Sequence, residues 1–272
     1  MMKEAALHFL LRELLAEGWA SSRTTVPEDA VGRRQLLRTL MNVRPPLPAN
    51  PQLLEVQDRL LSAERDERGV LDPRALPSVA QVFQPVGDSY ASRLVLWRGD
   101  ITTLAADAIV NAANAKLLGC FIPHHRCIDN AIHSAAGIQL RLECRRLIDE
   151  QGRDEPVGRG KITPGYNLPS RYVIHTVGPM IEDQVRTEDV RLLESCYESC
   201  LDSAAQQEGV RVLAFCCIST GEFRFPKVRA AEIAVRTVRR WLTAGRGELE
   251  RVIFNVFTQQ DHDVYAELLG KH

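Results

Sequence analysis

Cys120, His125 and Cys127 stand in a C-x4-H-x-C arrangement, and His124 adds a second imidazole within the same eight residues. Thiolates with an imidazole form a donor set that suits zinc. A closed structural zinc site takes four protein ligands. No fourth is obvious here, unless His124 turns inward or Cys144 approaches from the following helix. Three ligands with an open position suit a metal that meets a substrate. A zinc staple and a set of free core thiols are the structural alternatives.

Three further segments have the residue types of a nucleotide site. They are Gly99-Asp100-Ile101-Thr102, Asn111-Ala112-Ala113-Asn114 and Ser219-Thr220-Gly221-Glu222-Phe223-Arg224-Phe225-Pro226. Small residues and glycine free backbone N–H groups for phosphate, Asp and Asn suit an amino group or a ribose, and an aromatic offers a stacking face. Taken one at a time, each is also an ordinary strand-end turn.

For these segments to meet, a sheet must deliver them to one edge. β-rich runs occupy 94–97, 108–113, 172–177, 212–219 and 252–257. Helical stretches alternate with them, from Ile128 to Leu147, Asp189 to Gln207, Ala230 to Leu242, and onward from Asp261. The alternation predicts an α/β fold with a mixed, mostly parallel sheet and helices on both faces. Ligands of such sheets bind at the carboxyl ends of the strands.

Residues 1–90 differ from 91–272, holding 8 of the 14 prolines but 4 of the 17 glycines. Leu7, Leu10, Leu11, Leu14 and Leu15, then Leu36, Leu37 and Leu40, then Leu53, Val56, Leu60 and Leu61 recur at helical spacing. Pro45, Pro46, Pro48 and Pro51 force an extended stretch between the second and third helices. The region carries no catalytic signature. It reads as a helical cap on the main domain or as a separate partner-binding module.

Lys and Arg number 34 against 35 Asp and Glu, and the balance is as even on each side of residue 90. A net charge of −1 gives no long-range attraction for polyanions, which disfavours general nucleic-acid or membrane-surface binding. No apolar stretch approaches the roughly 18 residues of a membrane span, and Glu4, His8, Arg12 and Glu13 interrupt any signal-peptide pattern. A cytoplasmic protein is expected. Seven cysteines, all at or after Cys120, point to reduced thiols or metal ligands instead of a disulfide framework.

The order GDIT, VNAAN, AIHSAAG, YVIHTVGP and ISTG across 91–270 resembles a macrodomain, the ADP-ribose-binding fold. The resemblance implies a three-layer α/β/α sandwich in which Asp100 accepts from the adenine amino group and the Ile101 backbone reads the ring edge. It implies Asn114 at the distal ribose and a diphosphate cradled by the N–H groups of Ser219, Thr220, Gly221, Glu222 and Phe223. Phe257, after the last strand, is the candidate adenine-stacking face, although a strand-end aromatic is also a common core residue. Where many hydrolytic members carry a glycine run before an Asp, this chain has Gly119 and then the cysteine–histidine cluster, ending at Asp129.

That run, GCFIPHHRCIDNAIH, is similar to the zinc-dependent bacterial macrodomains, as are ITPGYNLPS at 162–170, STGEFRFP at 219–226 and LLRTLMNVRPP at 36–46. The resemblance thus reaches almost the whole chain. It implies a zinc-dependent hydrolase that removes mono-ADP-ribose from protein side chains, with Asp or Glu esters as the expected linkage. Asn114 and Asp129 would be catalytic, Asp129 orienting or deprotonating the attacking water, with Cys120, His125 and Cys127 on zinc. Asp129 also reads as a charge favoured at a helix N-terminus. The implied partner is a lipoyl-carrier protein modified by a sirtuin-like transferase. A non-catalytic ADP-ribose reader with a structural zinc is the alternative function, and a thiol redox protein, which would need a low-pKa cysteine, a third.

The remaining candidates read as structure. His133 and His175 lie in apolar runs and are expected as hydrogen-bonded core histidines. Cys196 and Cys200 share a helix face without partners, and Cys216 and Cys217 point to opposite sides of a strand. Arg224 stands where macrodomains usually have glycine and suits either a phosphate or protein contact or plain solvation.

Overall fold

Three helices open the chain of the computed structural model, which describes residues 2–20 and 24–270. They are α1 (Met2–Ala16), α2 (Ala30–Val43) and α3 (Pro51–Arg68). Asp29 caps α2 by accepting from the Gly32 N–H at 2.8 Å. Asn50 caps α3 the same way, followed by Pro51 at the first helical position. Leu7, Leu10, Leu11, Leu14, Leu37, Leu40, Leu53, Leu60 and Leu61 form a core of their own, joined by Ile138 from the main body. Arg44, 1% exposed, holds the proline stretch. Its guanidinium pairs with both Glu17 oxygens at 2.8 Å and donates to the carbonyls of Pro45, Leu47 and Pro48.

From Leu71 the chain already packs with the second core. Leu71 bridges to Leu104, and Val79 of the short α4 (Val79–Val82) is buried in that core. The apolar cores therefore divide near Gly69, ahead of the compositional change at residue 90.

The strands are β1 (Leu94–Arg98), β2 (Ala108–Ala112), β3 (Gly160–Pro164), β4 (Tyr172–Thr176), β5 (Val212–Phe215) and β6 (Arg251–Val256). They form one sheet in the order β1-β6-β5-β2-β4-β3. Every neighbouring pair is parallel except β3 with β4, which is antiparallel. The mixed α/β sheet is as expected, with two differences. Strand β3 gives no sequence signal, because an edge strand bounded by Gly160 and Pro164 has no apolar run. Strand β5 stops at Phe215 although the apolar run continues, because Cys216 and Ile218 are buried without pairing in the ladder.

Helices α5 (Ile128–Ala136), α6 (Ile138–Gln151), α7 (Thr187–Gln206), α8 (Lys227–Thr243) and α9 (Gln259–Gly270) complete the main body. The stretch expected as one helix from Ile128 is two. Gly137, at φ +97°, turns the chain where a Cβ would strike Gln57 of α3 and Asn167. The cap is fastened at this break. Gln57 accepts from the Ile138 N–H at 2.9 Å, and Asp58 accepts from Gln139 and Asn167, each at 2.7 Å. Among the described residues no helix is long and apolar enough to cross a membrane.

Candidate functional site

Because β1, β6, β5 and β2 run parallel, the segments that follow them arrive at one edge of the sheet. Asp100 and Ile101, Phe257, the 219–225 loop and Asn114 are thereby gathered from across more than half the chain. At the β1 end, Gly99 has no room for a Cβ, which would enter the Trp97 ring. Asp100 Oδ1 accepts from the Thr102 N–H at 2.9 Å and from its hydroxyl at 2.7 Å. Its Oδ2 faces the Arg68 guanidinium of α3 at 3.9 Å. The Ile101 side chain is buried, and its backbone N–H makes no hydrogen bond among the described residues.

The loop after β5 spends its carbonyls and keeps its donors. Ser219 O accepts from Phe225 N, Gly221 O from Arg224 N, and Phe223 O from Ile181 N. The N–H groups of Thr220, Gly221, Glu222 and Phe223 have no partner among the described residues. Free N–H groups converging from one loop make an anion cradle. Ser219 adopts φ +64° with its buried Oγ unpartnered, and it lies so close to Gly178 that a Cβ there would collide with it. Phe257 is 76% exposed, so it serves no core. Arg224 is exposed.

Asp129 is buried at the first turn of α5. Asn111 Nδ2 donates to its Oδ1 at 2.8 Å and Asn114 Nδ2 to its Oδ2 at 3.4 Å. Asn114 Nδ2 also donates to Gly119 O at 3.1 Å, which ties the β2 end to the cluster loop. Burial raises the Asp129 carboxyl to about 6, against the pull of Asn111, Arg141 and Asn114. His133 Nε2 lies 3.5 Å from Asp129 Oδ1, yet neither ring nitrogen of His133 makes a hydrogen bond among the described residues. His175 is bonded as expected, Nδ1 to the Asn111 amide at 3.2 Å and Nε2 to Thr163 Oγ1 at 3.0 Å.

The two buried imidazoles set a pH dependence of stability. Burial lowers His175 to about 3, and lowers His133 well below its ordinary value with help from His175 and Arg141. Unfolded imidazoles protonate near pH 6.5 while these do not, so stability falls as pH drops below that value, by about 1.4 kcal/mol per pH unit for each. Asp129 has the opposite sign. Its raised pKa means that stability is gained as pH falls from about 6, which offsets one imidazole. Urea unfolding between pH 7.5 and 5 is expected to show a net loss, with a flatter slope in His175→Asn. Identical slopes in the two proteins would rule His175 out as a source.

Cys120, His125 and Cys127 come together as the spacing predicts. Their ligand atoms lie within 4.8 Å of one another, with Cys120 Sγ 3.5 Å from His125 Nδ1. Cys127 also caps α5, its Sγ accepting from the Asn130 N–H at 3.4 Å. Burial is the largest of the influences that raise its free thiol to about 12. Neither alternative fourth ligand joins. His124 turns away to Thr39 Oγ1 at 2.8 Å, and Cys144 lies beside His175 at 3.7 Å. His133, Cys144 and His175 make a second close group of ligand types, fully buried in the core. The remaining ring nitrogen of His125 is 3.4 Å from Glu222 Oε1, so the diphosphate-type loop and the cluster loop touch. Two thiols and one imidazole at this separation, with a carboxylate on the far ring nitrogen, fit a three-ligand zinc site.

Sequence reasoning gave Asn111 no role of its own within its segment, read His133 as a core histidine, and missed Arg141. Asn111 carried the one usable signal, a polar residue inside an otherwise apolar strand.

A family model for the Macro domain matches residues 110–234. A Treponema medium protein named "Protein-ADP-ribose hydrolase" is 46% identical over 262 residues, covering 96% of this chain and 97% of its own length. A Staphylococcus aureus (strain MRSA252) protein of the same name is 45% identical over 98% of this chain and 96% of its own. Among solved structures, a Trypanosoma brucei macrodomain in complex with ADP-ribose superposes with a TM-score of 0.65 at 30% identity, covering 85% of this chain and 95% of that one. Similarity at this level along nearly the entire length, helical cap included, means that the chain belongs to the macrodomain family.

Proposed function

We propose that this protein is a zinc-dependent hydrolase that removes mono-ADP-ribose from modified protein side chains, with Asp or Glu esters as the linkage. The observation that carries the reading is the placement of Asp129. A buried carboxylate, held by the amides of Asn111 and Asn114, sits two residues beyond the last member of a three-donor metal set. The relatives' shared name supports the hydrolase class.

The chain's own residues divide the work along the cleft. Asp100 Oδ2 and the Ile101 N–H meet the adenine edge, and the free N–H groups of residues 220–223 take the diphosphate. Asn114 orients the distal ribose. Asp129 orients the attacking water and takes its proton, the two amide donors fixing where its oxygens point. A zinc ion held by Cys120, His125 and Cys127 supplies Lewis acidity at the ribose end. The substrate class is an ADP-ribosylated protein, here a lipoyl-carrier protein modified by a sirtuin-like transferase, met in the cytoplasm.

The decisive measurement pairs calorimetry with free ADP-ribose and an ADP-ribose release assay on an ester-modified protein. Binding with release supports the hydrolase. Binding without release would leave a reader with a structural zinc. Phe257→Ala tests the adenine face separately. Stacking of a base on an aromatic is worth about 1–3 kcal/mol, so ADP-ribose affinity is expected to fall by about fivefold or more. The melting temperature is expected to stay unchanged, since the ring is exposed. Equal affinity in calorimetry would remove Phe257 from the site.

A further inference from the structure

The cluster loop, residues 117–127, is gripped by the helical cap. Leu117 and His124 both adopt φ +55°, a backbone region that non-glycine residues hold only when their surroundings fix it. At His124 the fixing groups belong to α2. Thr39 Oγ1 bonds to His124 Nε2 at 2.8 Å, and Asn42 Oδ1 accepts from the His124 N–H at 3.2 Å. Asn42, 2% exposed, donates with its other end to Ser134 Oγ on α5 at 2.9 Å. Ser134 Oγ donates to Asn130 Oδ1 at 3.3 Å, and Asn130 Nδ2 donates to Ile122 O at 2.9 Å. Arg38 of α2 reaches the same Asn130 oxygen at 3.2 Å.

Arg141 closes the grip from α6. It donates to Leu118 O at 2.7 Å and to the carbonyls of Met41 and Arg44 at 3.1 and 2.6 Å, with Phe121 stacked 4.4 Å from its guanidinium carbon. Positions 118, 121, 122 and 124 of the loop are thus fixed by a network that runs through the end of α2. Of the proposed ligands, Cys120 lies between the anchors at 118 and 121, and His125 and Cys127 follow the anchor at 124.

We propose that α2 is the clamp that presets the metal loop, with Thr39 and Asn42 as positioning residues and His124 as the anchor they hold. The proposal rests on the zinc reading above. Ligands already held in place lose less freedom when the metal binds, so the clamp raises zinc affinity without touching the ion. It also gives the adjacent histidines separate tasks: His125 faces Cys120, and His124 faces the cap.

The test measures zinc per chain by elemental analysis and zinc release into excess chromogenic chelator, at constant pH. Four proteins are compared: wild type, Asn42→Ala, Thr39→Val and Glu64→Gln. Glu64 pairs with Arg34 between α3 and α2 at 2.5 and 2.7 Å without touching the loop, so its variant loosens the cap alone. Thr39→Val removes only a hydroxyl and keeps the test valid if Asn42→Ala folds poorly. Support is wild type with one zinc, release faster by about tenfold in Asn42→Ala and Thr39→Val, and Glu64→Gln matching wild type. Unchanged release in Asn42→Ala and Thr39→Val overturns the clamp while leaving zinc in place. Equal acceleration in Glu64→Gln also overturns it, by showing general loosening. A wild-type protein that holds no zinc overturns the underlying zinc reading instead.

Discussion

Cys127→Ser is expected to give a folded protein that retains no stoichiometric zinc and releases ADP-ribose from modified protein at least about a hundredfold more slowly. Serine is the informative replacement because Cys127 has two tasks. Its sulfur caps α5 through the Asn130 N–H, and a hydroxyl is among the best N-caps, so the helix start survives. The same hydroxyl is a poor ligand beside Cys120 and His125, which leaves a two-donor set. Alanine would mix the two losses, since removing an N-cap costs about 1 kcal/mol by itself. Elemental analysis, thermal melting and the release assay on one preparation separate them. A metal-free protein with full activity would remove zinc from the reaction.

Asp129→Asn is the second large effect, a fall in kcat of about 10²–10⁴ with affinity for free ADP-ribose held within a few-fold. The amide keeps the volume of the carboxyl between Asn111 and Asn114, so the pocket shape is preserved. It cannot take a proton from water, and one of its two ends now opposes a donor that previously met an oxygen. The competing view is that Asp129 merely complements the N-terminus of α5. That view predicts a stability loss of about 0.3–1 kcal/mol and unaltered turnover. Steady-state kinetics beside urea unfolding distinguishes the two, because catalysis and the helix dipole move different observables.

The parallel strands were legible because β1, β2, β4, β5 and β6 are apolar runs with turn residues at their carboxyl ends, and that fact alone gathers Asp100, Asn114, Ser219 and Phe257. The cysteine–histidine cluster was legible because its three members are local in sequence, within eight residues. What escaped lies in pairings between distant residues. Asn111 and His175 are 64 positions apart and meet only because β2 and β4 are neighbours in register. His124 and Thr39 are 85 apart, so sequence spacing left His124 as a candidate ligand when its partner sits in the cap. Gly137 was silent for a related reason. The helical pattern runs through it, and only the approach of Gln57 shows why the chain must turn there.

The 3.4 Å approach of His125 to Glu222 joins two loops that are far apart in sequence. One residue belongs to the loop proposed for the metal, the other to the loop proposed for the diphosphate. Two ligand sites that share a mechanical joint are linked functions. By reciprocity, whatever factor nucleotide contributes to metal retention through this joint, metal contributes the same factor to nucleotide retention.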